Sequence, residues 1–147
     1  MKNTASFSAK CNVRPDIACK LILSVDGLKA WWIGNITISH MDETWPSPGS
    51  KMVWKAGGGK FQAEITEDSR PAKVVMKVNT PSADSTITHS FDLLPEGGTL
   101  YTKTVVGIFR TPISRFFAKP MMWMLQKFVV KEVKKAAQFV DDLNQHS

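Results

Sequence analysis

Two histidines stand where an imidazole could take part in acid–base chemistry. His40 follows Ile36 and Ile38 at alternate positions, and His89 lies at the same spacing between apolar residues. Because alternate residues of a strand share one face, both histidines are predicted to face the interior. A buried neutral imidazole can act as a general base or orient a ligand carbonyl. The alternative is a hydrogen-bonded histidine of the core or of a strand end.

Further side chains could assist these histidines. Asp42 or Glu43 could hold the tautomer of His40, and Tyr101 could donate a proton. A metal site is not expected, because no third His, Cys or carboxylate stands at a matching inward position. We therefore expect neither a metal nor another cofactor.

The composition is that of one ordinary globular domain spanning residues 1–147. Hydrophobic residues make up 43% and charged residues 22% of the chain, and the net charge is +6. These values exclude a disordered, fibrous or disulfide-stapled chain. The charge is compatible with anionic partners, but no RNP-like aromatic pair or helix-turn-helix pattern is present, so nucleic-acid binding is not expected. Cys11 and Cys19 are interpreted as reduced core residues.

No targeting or membrane-spanning segment is recognised in the sequence. The N-terminal residues lack the apolar run of about seven residues that a signal peptide needs, and no stretch reaches about 18 apolar residues. A cytoplasmic protein without a transmembrane segment is therefore expected. Peripheral membrane contact stays open, and so does the choice between monomer and homodimer.

The N-terminal part predicts a strand followed by two short helices. Alternation predicts a strand over Phe7–Arg14, and Pro15 suits the first position of a helix that runs to about Val25. Asp26 and Gly27 offer a turn and cap, and the next residues to Trp32 are long enough for one more helical turn.

Six further strands are predicted between Gly34 and Phe109, parted by turn residues whose short intervals favour antiparallel hairpins. The run Gly57–Lys60 lacks the spacing of a phosphate-binding loop and predicts a hairpin turn. For the last strand, the two faces beginning at Leu100 and at Tyr101 compete. The inward residues of the other strands are predicted to be Met52, Trp54, Phe61, Ile65, Val74, Met76, Val78, Ile87, Phe91 and Leu93.

A long amphipathic helix is predicted from about Pro120 to about Gln145. Either a short helix from Pro112 stops before Pro120, or Pro120 lies in the first turn of the long helix. The five apolar residues Met121–Leu125 cannot all face the interior, so one or two of them must meet a ligand, a lid, another subunit or a membrane surface.

This order of elements resembles the START-like superfamily, and its nearest branch is similar to the polyketide cyclase/dehydrase and lipid-transport proteins. The landmarks that carry the resemblance are Pro15–Ile17, Trp31, Trp32, Glu64–Thr66, Arg70, Pro71 and Pro95–Thr99. The resemblance implies an α+β helix-grip fold, in which a curved seven-stranded antiparallel sheet wraps around the C-terminal helix and leaves an apolar cavity. It implies no catalytic motif.

The function expected from these features is binding or transport of a hydrophobic small molecule or lipid in that cavity. The alternatives are a polyketide cyclase-like enzyme that uses His40 or His89 with Tyr101, and a dimerising or partner-activating module. The pocket entrance is expected between Pro120–Phe128 and the loop that carries Trp45 and Pro46. The residues expected to bind the ligand are Trp54, Phe61, Met76, Ile87, His89, Phe91, Met121, Leu125 and Phe128.

Overall fold

The structure is a computed structural model that describes residues 2–32, 35–80, 83–109 and 118–145, and within these ranges the side chains of residues 2, 3, 109 and 118–122 are left aside. It has seven strands and three helices in the described ranges. In chain order they are β1 (Lys2–Cys11), α1 (Pro15–Ile22), α2 (Val25–Trp31), β2 (Thr37–Met41), β3 (Lys51–Ala56), β4 (Gly59–Ser69), β5 (Lys73–Asn79), β6 (Ala83–Leu93), β7 (Thr99–Phe109) and α3 (Ala118–Gln145).

All seven strands form one antiparallel sheet in the order β1-β7-β6-β5-β4-β3-β2. Neighbours in the sheet are consecutive hairpin strands, except that β1 joins the last strand, β7. Two edges remain, at β1 and β2. The helix α3 packs on β1, β7 and α2, so the sheet and the long helix enclose the core, and the predicted α+β helix-grip fold is confirmed.

The two short helices meet at a tight junction. α1 ends at Ile22 rather than at Val25, and α2 begins at Val25 after its N-cap Ser24, whose hydroxyl oxygen accepts a hydrogen bond from the Gly27 N–H at 3.0 Å. The prediction that Asp26 and Gly27 form a turn is therefore wrong. A serine cap in extended conformation starts a helix that already contains them.

The first strand and the last helix differ from their predicted bounds. β1 ends at Cys11, so Asn12–Arg14 lie outside it, and it begins before Phe7. α3 begins at Ala118 with Pro120 in its first turn, where the missing N–H has no intrahelical partner to lose. The predicted short helix from Pro112 lies outside the described residues.

Side chains of α3 bind the free edge of β1. The Gln126 side-chain amide accepts from the Ser6 N–H at 3.1 Å and donates to the Ser6 carbonyl at 2.9 Å. Just after β1 ends, an Asp141 carboxylate oxygen accepts from the Asn12 N–H at 2.7 Å. Polar contacts thus fix the helix along the edge strand.

Strand parity predicts the buried face correctly in β3, β4 and β5, where Met52, Trp54, Ile65 and the three inward residues of β5 face the core. One predicted inward residue of β6 is not buried. Leu93, the last residue of β6, is 67% exposed because the strand passes the end of the core there. For β7 the sequence pattern favoured neither face, and the structure shows that the inward face is that of Thr99, Tyr101, Lys103 and Val105.

The inward orientation predicted for His40 is wrong. Ile38 pairs with Trp54 but His40 pairs with Val53, so two steps along β2 match one step along β3. Such a bulge shifts the side chains beyond it to the opposite face. The His40 side chain is exposed, and its Nε2 lies 2.6 Å from Asp42 Oδ1, as expected for a partner that orients the ring.

The β3–β4 connection is the predicted hairpin turn. Ala56 pairs with Gly59, so the loop consists of Gly57 and Gly58, which have φ angles of 55° and 78°. Positive φ at both positions is the geometry of a type I′ turn, which glycine adopts at little cost.

Candidate functional site

Two inward side chains of β6 and β7 form a buried polar pair. His89 Nδ1 lies 2.8 Å from the Tyr101 hydroxyl, and the rings stack with an interplanar angle of 9°. Burial and, to a lesser degree, the nearby positive charge of Lys103 together lower the pKa of His89 to about 3. Burial also raises the pKa of Tyr101 well above its ordinary value. Both groups are therefore neutral at physiological pH.

Lys103, the next inward residue of β7, forms an ion pair with α3. Its ammonium donates to Glu132 Oε2 at 2.9 Å, and the side chains of Lys103 and Glu132 are only 2% and 12% exposed. The same ammonium lies 3.9 Å from the centroid of the Trp31 ring. A carboxylate and an aromatic face thus compensate the desolvated positive charge.

An aromatic cluster lies on the other side of Trp31. Trp54 and Phe61 stack with ring centroids 5.7 Å apart, and Trp32 meets both of them edge to face. The Nε1–H of Trp54 is buried and has no hydrogen-bond partner in the described part of the chain, and the same is true of His89 Nε2. The interior therefore holds polar atoms that a bound molecule or water could satisfy.

A pocket of about 260 Å³ opens between α2 and α3. Trp32, Leu125 and Phe128 form its apolar walls, and Glu132 lines it as the polar group. Because Glu132 is also the partner of Lys103, the pocket meets the buried ion pair directly. An apolar cleft with one polar group suits an amphiphilic small molecule.

A larger groove of about 680 Å³ lies near the N-terminal end of α2. Trp45 and Pro46 line it together with Val25, and the Trp45 indole donates to the Leu23 carbonyl at 3.1 Å. Val25 and Trp32 lie seven residues apart, roughly 10 Å along a helix. The expected entrance is therefore wrong in one respect: the Trp45 loop and the described part of Pro120–Phe128 border different openings.

The smaller pocket is the better candidate site. The charged residues that line the groove, Asp16, Lys20 and Arg70, are exposed, and Arg70 is already bound by Asp68, with Nε 2.8 Å and 2.9 Å from the two carboxylate oxygens. The pocket, in contrast, adjoins charges that have been removed from water. Buried polar groups beside a cavity are the more specific sign of a binding site.

The structure places the predicted site residues in three groups. Leu125 and Phe128 line the pocket, and Trp54 and Phe61 contact its wall residue Trp32. The side chain of Met121 lies outside the described part. The third group belongs to the core behind the pocket and consists of Met76, Ile87, His89 and Phe91.

Three residues of the site were not predicted as such: Trp32, Lys103 and Glu132. Lys103 shares the parity of Tyr101 and Val105, and Glu132 is four residues after Phe128 on the apolar stripe of α3. A charged residue on each of two apolar faces is a signal that the two charges meet. Because the pattern did not decide which face of β7 points inward, Lys103 could not be recognised as an inward charged residue.

The described ranges contain neither a cluster of metal-binding side chains nor a helix that could span a membrane. No three His, Cys, Asp or Glu residues lie together there in a way that could hold a metal ion. No helix among them is long and apolar enough to cross a membrane. The cysteines Cys11 and Cys19 are free and buried, and burial raises the pKa of their thiols to about 12 and about 11.

Solved structures with this architecture cover nearly the whole chain. The Zhui aromatase/cyclase from a Streptomyces species has a TM-score of 0.74 at 8% identity, over 95% of this chain and 94% of its own. A protein of Staphylococcus aureus has a TM-score of 0.73 at 12% identity, over 100% of this chain and 98% of its own. A protein of Thermus thermophilus has a TM-score of 0.72 at 18% identity, over 98% and 99%.

No protein-family model matches the sequence, and no curated protein matches it. The likenesses to solved structures are all of low identity, so they concern the backbone architecture rather than the chemistry of the site. They agree with the resemblance found in the sequence at the level of the fold. The chain therefore has the helix-grip fold that these solved structures share.

Proposed function

We propose that the protein binds a hydrophobic small molecule or lipid in the pocket between α2 and α3. The observation that carries this proposal is the contact between the pocket and the Lys103–Glu132 pair. An ion pair with side chains 2% and 12% exposed costs desolvation energy that apolar residues of similar size would not. Its position beside the apolar walls of this pocket would let it recognise a polar group of a bound molecule.

The ligand is mostly apolar and carries a hydrogen-bond donor. Within the described residues, Lys103 occupies Oε2 of Glu132, and Oε1 is left to accept from a hydroxyl or N–H group. The walls Trp32, Leu125 and Phe128 offer only apolar contact apart from the indole N–H. The pocket of about 260 Å³ is just below the usual range of about 300–1,000 Å³, which favours a small ligand or one that displaces the side chain of Trp32.

The polyketide cyclase-like alternative stays a prediction. The similarity to an aromatase/cyclase supports it, and so does the His89–Tyr101 pair. However, both residues are fully buried, and neither lines a pocket within the described ranges. A general acid or base must come within about 3 Å of the proton that it moves, so this activity would first require an opening toward His89.

The proposal is tested by filling the pocket. N-phenyl-1-naphthylamine, a neutral apolar probe with one N–H, should bind to the purified protein with increased fluorescence, and native mass spectrometry should show any retained small molecule. Leu125→Trp should abolish probe binding. Leu143→Trp is the matched control, because Leu143 is exposed on the same helix, 18 residues or roughly 27 Å away.

Binding that survives Leu125→Trp, or that is lost equally in both variants, would contradict the proposed site. The double variant Lys103→Met with Glu132→Leu, which removes the carboxylate without leaving an unpaired ammonium, should weaken the probe but leave an apolar analogue without the N–H unaffected. This comparison distinguishes the contribution of the polar contact from that of the apolar walls.

A further inference from the structure

The beginning of α3 exposes large apolar side chains to solvent. Trp123 is 63% exposed, Met124 48% and Phe128 39%. Exposed aromatic and methionine side chains that lie together on one segment mark a contact surface more often than scattered ones do. We call the exposed face of α3 from Trp123 to Gln138 the basic apolar face.

Lysines surround these apolar residues. Lys127, Lys131, Lys134 and Lys135 are all exposed on this face, and the Lys127 ammonium lies 3.6 Å from the centroid of the Trp123 ring. The acidic residue in this stretch, Glu132, turns inward to Lys103. At about 100° per residue, Trp123, Lys127 and Lys134 fall within roughly 40° of one another, so aromatic and positive groups share one side of the helix.

We propose that the basic apolar face docks on the surface of a bilayer that contains anionic lipids. Tryptophan prefers the boundary between headgroups and acyl chains. Lysines on the same helix reach the lipid phosphates, and an amphipathic helix of this kind lies in the interface plane. Each lysine near an anionic surface strengthens binding about fivefold.

Charge complementarity selects this occupant over a second copy of the chain. A two-fold contact through the same face would bring the lysines of both copies together, and like charges within an interface disfavour association. Lipid phosphates would instead neutralise them.

Docking in this way would place the pocket next to the lipid. Phe128 is exposed on α3 and also forms a wall of the pocket. The inference does not depend on the proposed small-molecule function, because vesicle binding is measured without any ligand in the pocket.

The test is co-sedimentation of the full chain with vesicles. Vesicles of phosphatidylglycerol and phosphatidylcholine in equal amounts should bind the protein, phosphatidylcholine alone should bind it far less, and high salt should release it. Lys127→Ala with Lys131→Ala should weaken binding about 30-fold. The control is Lys20→Ala with Lys51→Ala, which removes the same charge from exposed lysines outside α3 and should change binding little.

Tryptophan fluorescence locates the contact. Anionic vesicles should shift the emission of the wild type to shorter wavelength, and Trp123→Phe should lose most of that shift, because Trp123 is 63% exposed, whereas Trp31 and Trp54 are buried and Trp32 and Trp45 are half-buried. Equal binding to both kinds of vesicle, equal loss in the two lysine pairs, or an unchanged shift in Trp123→Phe would overturn the proposal. A dimer that Trp123→Ala dissociates, seen by sedimentation without vesicle binding, would assign the face to a second copy instead.

Discussion

The Lys103 ammonium and the Glu132 carboxylate, 2.9 Å apart, join β7, the strand next to the β1 edge of the sheet, to α3. The two partners are desolvated to different degrees, because Lys103 is buried on the sheet and Glu132 lines the pocket. Removing Glu132 leaves an unpaired ammonium in the core, whereas removing Lys103 leaves an unpaired carboxylate beside the pocket. The two single variants should therefore differ in their free energies of unfolding.

Glu132→Leu should destabilise the protein by about 3–5 kcal/mol, because it leaves the buried ammonium without its carboxylate. Lys103→Met should cost less, since a lone Glu132 can turn toward the pocket and water. The double variant should lie within about 1 kcal/mol of the wild type. Urea unfolding at neutral pH measures all three. Equal single costs that simply add in the double variant would show that the pair is not coupled.

Trp54→Ala should cost about 3–5 kcal/mol in the free energy of unfolding, as expected for a packed core aromatic. The ring is buried and stacks on Phe61, and it contacts the pocket wall residue Trp32. Trp54→Phe is the matched control. It keeps the stacking and removes an N–H that has no partner in the described residues, so it should cost less than about 1.5 kcal/mol. Equal losses would mean that the indole N–H has a partner.

Stability should fall as the pH falls through the range in which free histidine gains a proton. The pKa of buried His89 is lowered from 6.5 to about 3, so between these values the unfolded chain binds a proton that the folded chain does not. The His89 contribution is complete above pH 6.5 and is lost progressively below it, by about 2 kcal/mol at pH 5. In His89→Leu, the difference between the unfolding free energies at pH 7.5 and pH 5 should shrink by that amount. An unchanged difference would show that His89 is protonated in the folded state.

Gly27→Ala should destabilise the helix junction although alanine favours helices. A Cβ at this position would overlap the Leu21 carbonyl oxygen and lie 2.7 Å from that of Ile22, and backbone atoms cannot move away cheaply. We expect a loss of about 1–3 kcal/mol, measured by thermal unfolding. Lys29→Ala on the same helix is the control, and it should be neutral within about 0.5 kcal/mol. A gain in stability for Gly27→Ala would mean that α1 and α2 can separate.

Trp123→Ala should leave the free energy of unfolding within about 1 kcal/mol of the wild type, because the side chain is largely exposed. Circular dichroism during heating is sufficient to measure it. A large loss of stability would mean that Trp123 is part of the packing rather than of a contact surface.

The elements of this fold could be predicted from the sequence because their periods are clear. Alternation identifies the strands, and the change to a helical period after Pro112 identifies α3. What failed depends on register. The bulge between Ile38 and His40 moves the side chains beyond it to the opposite face of the sheet. No residue type in that stretch indicates a bulge. Parity alone therefore placed His40 inside.

The candidate site was only partly predictable for a related reason. Large apolar residues such as Trp54 and Phe128 identify themselves as core or pocket residues. Lys103 and Glu132 are recognisable as site residues only as a pair, and they are 29 residues apart in the chain. The position of α3 on the sheet decides which charged residues of the two apolar faces meet. Local sequence patterns do not predict that position.

The Gln126 contact with Ser6 has a consequence for how these molecules behave in concentrated solution. An edge strand offers unpaired N–H and C=O groups to which a strand of another molecule can add, which is a common start of aggregation. On β1, the glutamine amide occupies both groups of Ser6. At the opposite edge, β2 is only five residues long and carries the bulge, so it presents no long regular template. The contact at Ser6 and the short, bulged β2 thus both shorten the regular edge that a strand of another molecule could join.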